Sequence, residues 1–154
     1  GWRSMPDEWT TLQDYIELEV RRLDRPIEWE LTPLTEDLQG QHIPALLVQP
    51  LVENALWHGL GGTSVSGPGK LSLRAVKTGQ EHVTIQVCNS PNAAHAMETE
   101  PVRPDDQIPR RRHASDLIRQ RLNLLDRSGK SGLNMVTAPD HTEVSLIVPC
   151  TTKR

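Results

Sequence analysis

Twice in this chain, two short runs that alternate apolar and polar residues stand on either side of a turn, and this pattern constrains the fold more than any other feature. Leu71-Leu73-Ala75 and Val83-Ile85-Val87 flank Thr78-Gly79-Gln80-Glu81, while Leu133-Met135-Thr137 and Val144-Leu146-Val148 flank Pro139-Asp140. A period of two turns one side of each run toward a core and leaves the other wet, so each pair predicts an antiparallel hairpin. A fifth run, Ile27-Glu28-Trp29-Glu30-Leu31, alternates in the same way. Elsewhere the spacing is helical. Leu12, Ile16, Val20 and Leu23 line one face of a helix over 11–23, opened by Thr11 with Asp14 and ended by Pro26. Leu117, Ile118, Leu122 and Leu125 mark another. Helices need an apolar face to cover and hairpins offer one. The predicted fold class is therefore α/β, a two-layer sandwich of sheet and helices.

The 154 residues, 36% of them hydrophobic, suffice for one core and are too few for two, so a single domain over 1–154 is expected. A net charge of −3 with the signs interspersed gives no bulk attraction to nucleic acid or to an anionic membrane. Cys88 and Cys150 lie far apart and outside any CxxC spacing, which supports neither a zinc site nor a disulfide framework. No run approaches the ~20 apolar residues of a membrane span, and the first residues lack the regions of a signal peptide. The abrupt start at Gly1-Trp2-Arg3 reads as a fragment of a longer protein. Residues 61–69 read as a turn-rich connection. Over 90–112 periodicity disappears among prolines 91, 101, 104 and 109, which predicts a lid or a disordered segment. His42, His82 and His95 have no partner at metal-ligand spacing and are read as surface residues.

Function points to IPALLVQPLVENALWHGL, residues 43–60, expected as a helix opened by Pro44, bent or restarted at Pro50 and stopped at Gly59. It places Glu53, Asn54 and His58 in an otherwise apolar segment. A carboxylate beside an amide oxygen, with an imidazole four residues beyond the amide on the same face, suits a hydrated Mg²⁺ and the phosphates it carries. The alternative is a buried helix whose polar residues are satisfied by neighbouring backbone. Trp57 either stacks on a partner or nucleotide or packs at the helix edge.

YIELEVRRLDRPIEWEL, residues 15–31, followed by residues 43–60, resembles the catalytic, ATP-binding domain of LytS-type sensor histidine kinases. These belong to the wider class sharing the gyrase and Hsp90 ATP-binding fold, the Bergerat or GHKL fold, and the resemblance implies a mixed sheet with the helices on one face. IRQRLNLL at 118–125 and HTEVSLIVP at 141–149 extend the similarity, and VCNSP at 87–91 is most similar to the alginate and fimbrial sensor branch, AlgZ/FimS-like. The resemblance implies transfer of the ATP γ-phosphoryl to a histidine outside this chain, with Mg-ATP as cofactor. Asn54 matches the N-box asparagine and is implied as a Mg²⁺ ligand; Glu53 matches the neighbouring water-orienting or basic acid; His58 matches the basic residue near the phosphates. Asn89 takes the place of the family's adenine-binding aspartate, where its amide oxygen can still accept from the base. Ser115 and Thr142 fall at the remaining nucleotide-contact positions. Implied partners are a response regulator of the LytTR type and a second copy, joined through missing upstream helices. The implied setting is the cytoplasmic side of a bacterial inner-membrane protein.

The chain departs from the family at its glycines. Pro91 stands where the first is expected, Arg112-His113-Ala114-Ser115 replaces a glycine-x-glycine sequence, and His141 replaces another. Glycine lets backbone N–H groups approach phosphate without a Cβ in the way. These replacements put the usual phosphate cradle in doubt and keep open a second expectation, a pseudokinase or scaffold module acting by contact.

Overall fold

The computed structural model describes residues 1–60, 68–90 and 108–152, and the backbone alone at 58, 59 and 108–114. His95, residues 61–67 of the expected connection and 91–107 of the expected lid lie outside the described residues.

In chain order the elements are β1 (Trp2–Ser4), α1 (Met5–Val20), β2 (Ile27–Leu31), α2 (Glu36–Gln39), β3 (Gln41–Pro44), α3 (Gln49–Asn54) and a π-helical turn (Ala55–Leu60). These are followed by β4 (Gly69–Lys77), β5 (His82–Ser90), α4 (Ile108–Leu125), β6 (Gly132–Thr137), β7 (Thr142–Pro149) and β8 (Thr151–Thr152). Both expected hairpins are present as β4–β5 and β6–β7, with Ala75 opposite Ile85 and Met135 opposite Val144. Five strands form one sheet in the order β2-β4-β5-β7-β6, parallel only between β2 and β4. A parallel pair cannot be joined by a tight turn and needs a long crossover. Here the crossover is residues 32–68, which hold α3 and the π-helical turn and so bring Asn54 onto the sheet.

Alternation sets which face is covered. Leu71, Leu73, Val83, Ile85, Val87, Leu146 and Val148 are all buried, while Lys70, Ser72 and Arg74 on the opposite side of β4 are exposed. Helical side chains complete the core from above: Leu12 and Ile16 of α1, Leu51 and Val52 of α3, Leu56 and Leu60 of the π-helical turn, Ile118 and Leu122 of α4. The α/β sandwich with helices on one face is thus the observed architecture. Ile85, fully buried on the central strand, tests how tightly that core is packed. Ile85→Ala is expected to cost about 2–5 kcal/mol, read as a lower urea midpoint with an unchanged slope.

Three expectations are corrected. The first helix begins at Met5 instead of Thr11, because its apolar face continues back through Trp9 and Met5 and Ser4 Oγ accepts from Asp7 N at 3.2 Å as the N-cap. Residues 43–60 are not one helix. Ile43 and Pro44 end β3, Leu46 adopts a left-handed φ of 64°, and regular helix starts only at Gln49, with Pro50 in its first turn. β3 pairs with β1 and β8 in a separate three-stranded sheet that alternation could not reveal, since those strands have two to four residues. The aperiodic segment is also shorter than expected, since Ser90 belongs to β5 and α4 starts at Ile108. Among the described residues no helix is long and apolar enough to cross a membrane.

Candidate functional site

Three strands of the large sheet change character at one end of their covered face. Along β5 the inward residues run Val83, Ile85, Val87 and then Asn89; along β7, Val148, Leu146, Val144 and then Thr142; along β6, Leu133, Met135 and then Thr137. The ladder aligns the three polar residues in one row, Asn89 opposite Thr142 and Thr142 opposite Thr137. The apolar core therefore ends in a polar rim. Asn54, at the junction of α3 and the π-helical turn, stands over this row, and Ser115 of α4 closes its side.

Together these residues line a pocket of about 140 Å³ whose apolar walls come from Leu51, Ala55, Met135 and Val144. Four of the expected site residues, Asn54, Asn89, Ser115 and Thr142, come from four different elements and meet here. Asn89 is buried at 6% exposure; Asn54, Ser115 and Thr142 are half-buried. Glu53 does not line the pocket and is exposed, and the side chain of His58 lies outside the described residues. Met135 and Thr137 were missed from the sequence, although the strand alternation that placed Asn89 places them on the same face.

The lining offers hydrogen-bonding groups and an oxygen suited to a hard cation. Two carboxamides and three hydroxyls beside apolar walls can both donate and accept hydrogen bonds, and the Asn54 amide oxygen is a hard donor atom of the kind Mg²⁺ takes. At about 140 Å³ the space falls below the roughly 300–1,000 Å³ of pockets that enclose a drug-sized ligand.

Behind the pocket, α1 is tied to the π-helical turn. Trp57 Nε1 donates to Glu19 Oε2 at 2.8 Å, and Arg22 Nη1 reaches Glu19 Oε1 at 3.1 Å. Trp57 therefore packs at the helix edge against α1. Burial, reinforced by the negative charges of Glu53 and Glu19, pushes the Tyr15 phenol up to about 12. Tyr15 is the chain's one tyrosine, so phenolate absorbance reads it directly. Its folded value lies above the unfolded one, about 10. The contribution to stability is thus complete below about pH 10 and lost as pH rises toward 12. Alkaline titration of Tyr15→Phe should show that loss reduced.

At the opposite end of the sheet His82 is corrected from a surface residue to a buried one. Its Nε2 lies 2.9 Å from Asp126 Oδ2, just past the end of α4. Ser128 N donates to Asp126 Oδ1, and both the N and Oγ of Ser131 donate to Oδ2, at 2.9, 2.9 and 2.6 Å. Hydrogen bonds from Ser128, Ser131 and His82 hold the Asp126 carboxyl well below the usual carboxylate range. This cluster pins the far end of the helix that carries Ser115. His42, also expected on the surface, is a half-buried residue of β3 whose Nδ1 is buried with no hydrogen-bond partner among the described residues.

No protein-family model matches the chain. Sensor histidine kinase BtsS of Escherichia coli K12 is 28% identical over 89 residues, a match covering 53% of this chain and 15% of BtsS; the Shigella flexneri protein of the same name matches equally. The match thus spans well under two thirds of those relatives' length. Among solved structures, the histidine kinase domain of the Erythrobacter litoralis EL346 blue-light activated histidine kinase has a TM-score of 0.59 at 19% identity, over 92% of this chain and 64% of that one. Histidine kinase ThkA, in complex with response regulator protein TrrA, has a TM-score of 0.56 at 12% identity, over 97% of this chain and 41% of that one. The mycobacterial sensor histidine kinase MprB has a TM-score of 0.55 at 11% identity, over 99% of this chain and all of that one. A five-stranded mixed sheet, helices on one face, and a pocket where the sheet's apolar rows end give this chain the fold of sensor histidine kinase catalytic domains.

Proposed function

We propose that this chain is the nucleotide-binding catalytic domain of a LytS-type sensor histidine kinase, with Mg-ATP as cofactor and a histidine outside the chain as acceptor of the γ-phosphoryl. The observation that carries the reading is the convergence of Asn54, Asn89, Ser115 and Thr142 on one pocket within this fold. The Asn89 amide oxygen accepts from the exocyclic amine of the base, between walls formed by Leu51, Ala55, Met135 and Val144. Ser115, Thr137 and Thr142 offer hydroxyls to the sugar and phosphates. Asn54 supplies a metal ligand, and Mg²⁺, when bound, neutralises the charge that the transferred phosphoryl carries. Glu53, exposed beside Asn54, orients water at the open side, and His58 serves the phosphates. VCNSP at 87–91 supports an AlgZ/FimS-like branch. The resemblance to ThkA, which was solved with a response regulator, supports such a regulator as partner, and the LytS likeness favours the LytTR type. Dimerisation and membrane attachment would come from segments outside this chain.

Calorimetric titration with ATP tests the reading. Saturable binding that strengthens with Mg²⁺ is expected; an absence of Mg-dependent binding, also in the full-length kinase, would refute it. A second reading, a pseudokinase scaffold, is favoured by Pro91, Arg112, Ala114 and His141 at expected glycine positions. Phosphorylation of the acceptor histidine by the full-length protein, lost on Asn54→Ala, would rule it out.

A further inference from the structure

Regular helix in α3 lasts only six residues, begins with no side-chain N-cap bond, contains Pro50 and follows a residue in left-handed conformation. So short a helix does not hold its shape unaided, because the nucleating turn is barely repaid by the bonds that follow. Asn54 stands at its end, where the hydrogen bonding widens to the π pattern, an arrangement that is rare and frequent at functional sites. The orientation of Asn54 is therefore set by what the segment packs against.

Two contacts do this, and they fix different degrees of freedom. Leu51, Val52, Leu56 and Leu60 sink into the core, which sets depth. Apolar contacts are non-directional and leave roll about the axis weakly determined. The directional contact is on the outer flank. Glu19, 6% exposed, receives the Trp57 indole N–H on one carboxylate oxygen and Arg22 on the other, and the Arg22 guanidinium carbon lies 5.7 Å from the centre of the Trp57 ring. Each of the three touches the other two. The Arg22 backbone N also donates to Glu19 O at 3.0 Å, which fixes the acid in the closing turn of α1. Trp57 follows Asn54 by three residues within the continuous α3–π-helical segment, so a shift of its ring is carried to Asn54 through the backbone.

We propose that Glu19, Arg22 and Trp57 are positioning residues for Asn54, a latch between α1 and the π-helical turn that fixes the angle at which the Asn54 amide faces the pocket. The consequence for metal-dependent binding rests on the nucleotide reading above; the positioning itself does not. Displacing the end of α1 breaks a charge-assisted hydrogen bond and turns Asn54 away, so α1 is the element whose movement is felt at the site.

The test is run on the whole chain without nucleotide, by ¹⁵N-resolved NMR and amide exchange. Trp57→Phe keeps the ring and loses its N–H donor. It should shift or double the Asn54 side-chain NH₂ signals and speed amide exchange over 51–60 by about tenfold, leaving β4 and β5 unchanged. Glu19→Leu removes the acceptor from the other side and should give the same result, whereas Glu19→Gln keeps an acceptor oxygen and should restore the wild-type Asn54 signals. Unchanged Asn54 signals in Trp57→Phe and Glu19→Leu, or exchange that speeds equally in every element, would overturn the proposal. Wild-type titration with Mg-ATP is scored separately. Failure to bind, also in the full-length kinase, would refute the kinase reading while the NMR result still decides the latch.

Discussion

Asn54→Ala is expected to weaken Mg-dependent ATP binding by roughly 10- to 100-fold while leaving binding in excess EDTA nearly unchanged. On the proposed reading the Asn54 amide oxygen, which α3 presents to the pocket, would ligate the metal, and contacts to charged groups contribute about 1.5–3 kcal/mol, which is a factor of that size. Asn89→Leu should behave in the opposite manner. It removes the buried acceptor at the end of β5 while leaving the Asn54 amide in place, so affinity should fall with and without Mg²⁺ alike. Calorimetry on the two variants in both buffers checks the pair. Equal losses from Asn54→Ala in Mg²⁺ and EDTA would take the metal away from Asn54.

Asp126→Ala is expected to destabilise the domain by about 2–3 kcal/mol and lower Tm by roughly 5–10 °C. The substitution leaves the part-buried Ser131 N–H and the buried His82 ring without their acceptor, while the exposed Ser128 N–H turns to water. The cost follows from stranded polar groups more than from a lost charge pair. Its pH dependence has a definite sign. The folded carboxyl binds its proton less readily than the unfolded one, whose value is about 3.9, so the stabilisation is complete above that pH. It declines as pH falls further, toward the lower folded value, and the wild-type advantage over Asp126→Ala should narrow in the same range. Thermal unfolding scans of both proteins between neutral and acid pH measure this. A gap that stays constant across the range would exclude Asp126 as its source. Ser115 lies on the helix that this cluster anchors, so nucleotide affinity should also fall in the variant, by less than in Asn54→Ala.

Strand content was legible because alternation is a local consequence of one buried face: all four hairpin runs and residues 27–31 are strands, and the inward residues of β4, β5 and β7 supply most of the sheet's share of the core. Asn89 was legible in the same way, since counting by two from Val83 ends on it. Helix was expected from Pro44 and a restart at Pro50; the restart is where α3 begins, but residues 43 and 44 were misread because they pair with β1, a partner some 40 residues away that no local pattern announces. His82 was misread because its partner, Asp126, comes from the end of a helix 44 positions later. Met135 and Thr137 were readable as inward strand residues but not as pocket residues, since only the β5-β7-β6 order sets them beside Asn89.

The sequence alone determined the chemistry on offer: an amide, an acid and an imidazole in an apolar setting, and strands with one apolar face. Those properties depend on residue type and on spacing within one element. The tertiary structure decided which of them meet. It gathered Asn54, Asn89, Ser115 and Thr142 around one pocket, left Glu53 outside it, and tied Trp57 to Glu19. The reason is physical: pairing between distant segments is chosen by the free energy of the whole core, so neither register nor the roll of a six-residue helix is written in any single stretch of chain.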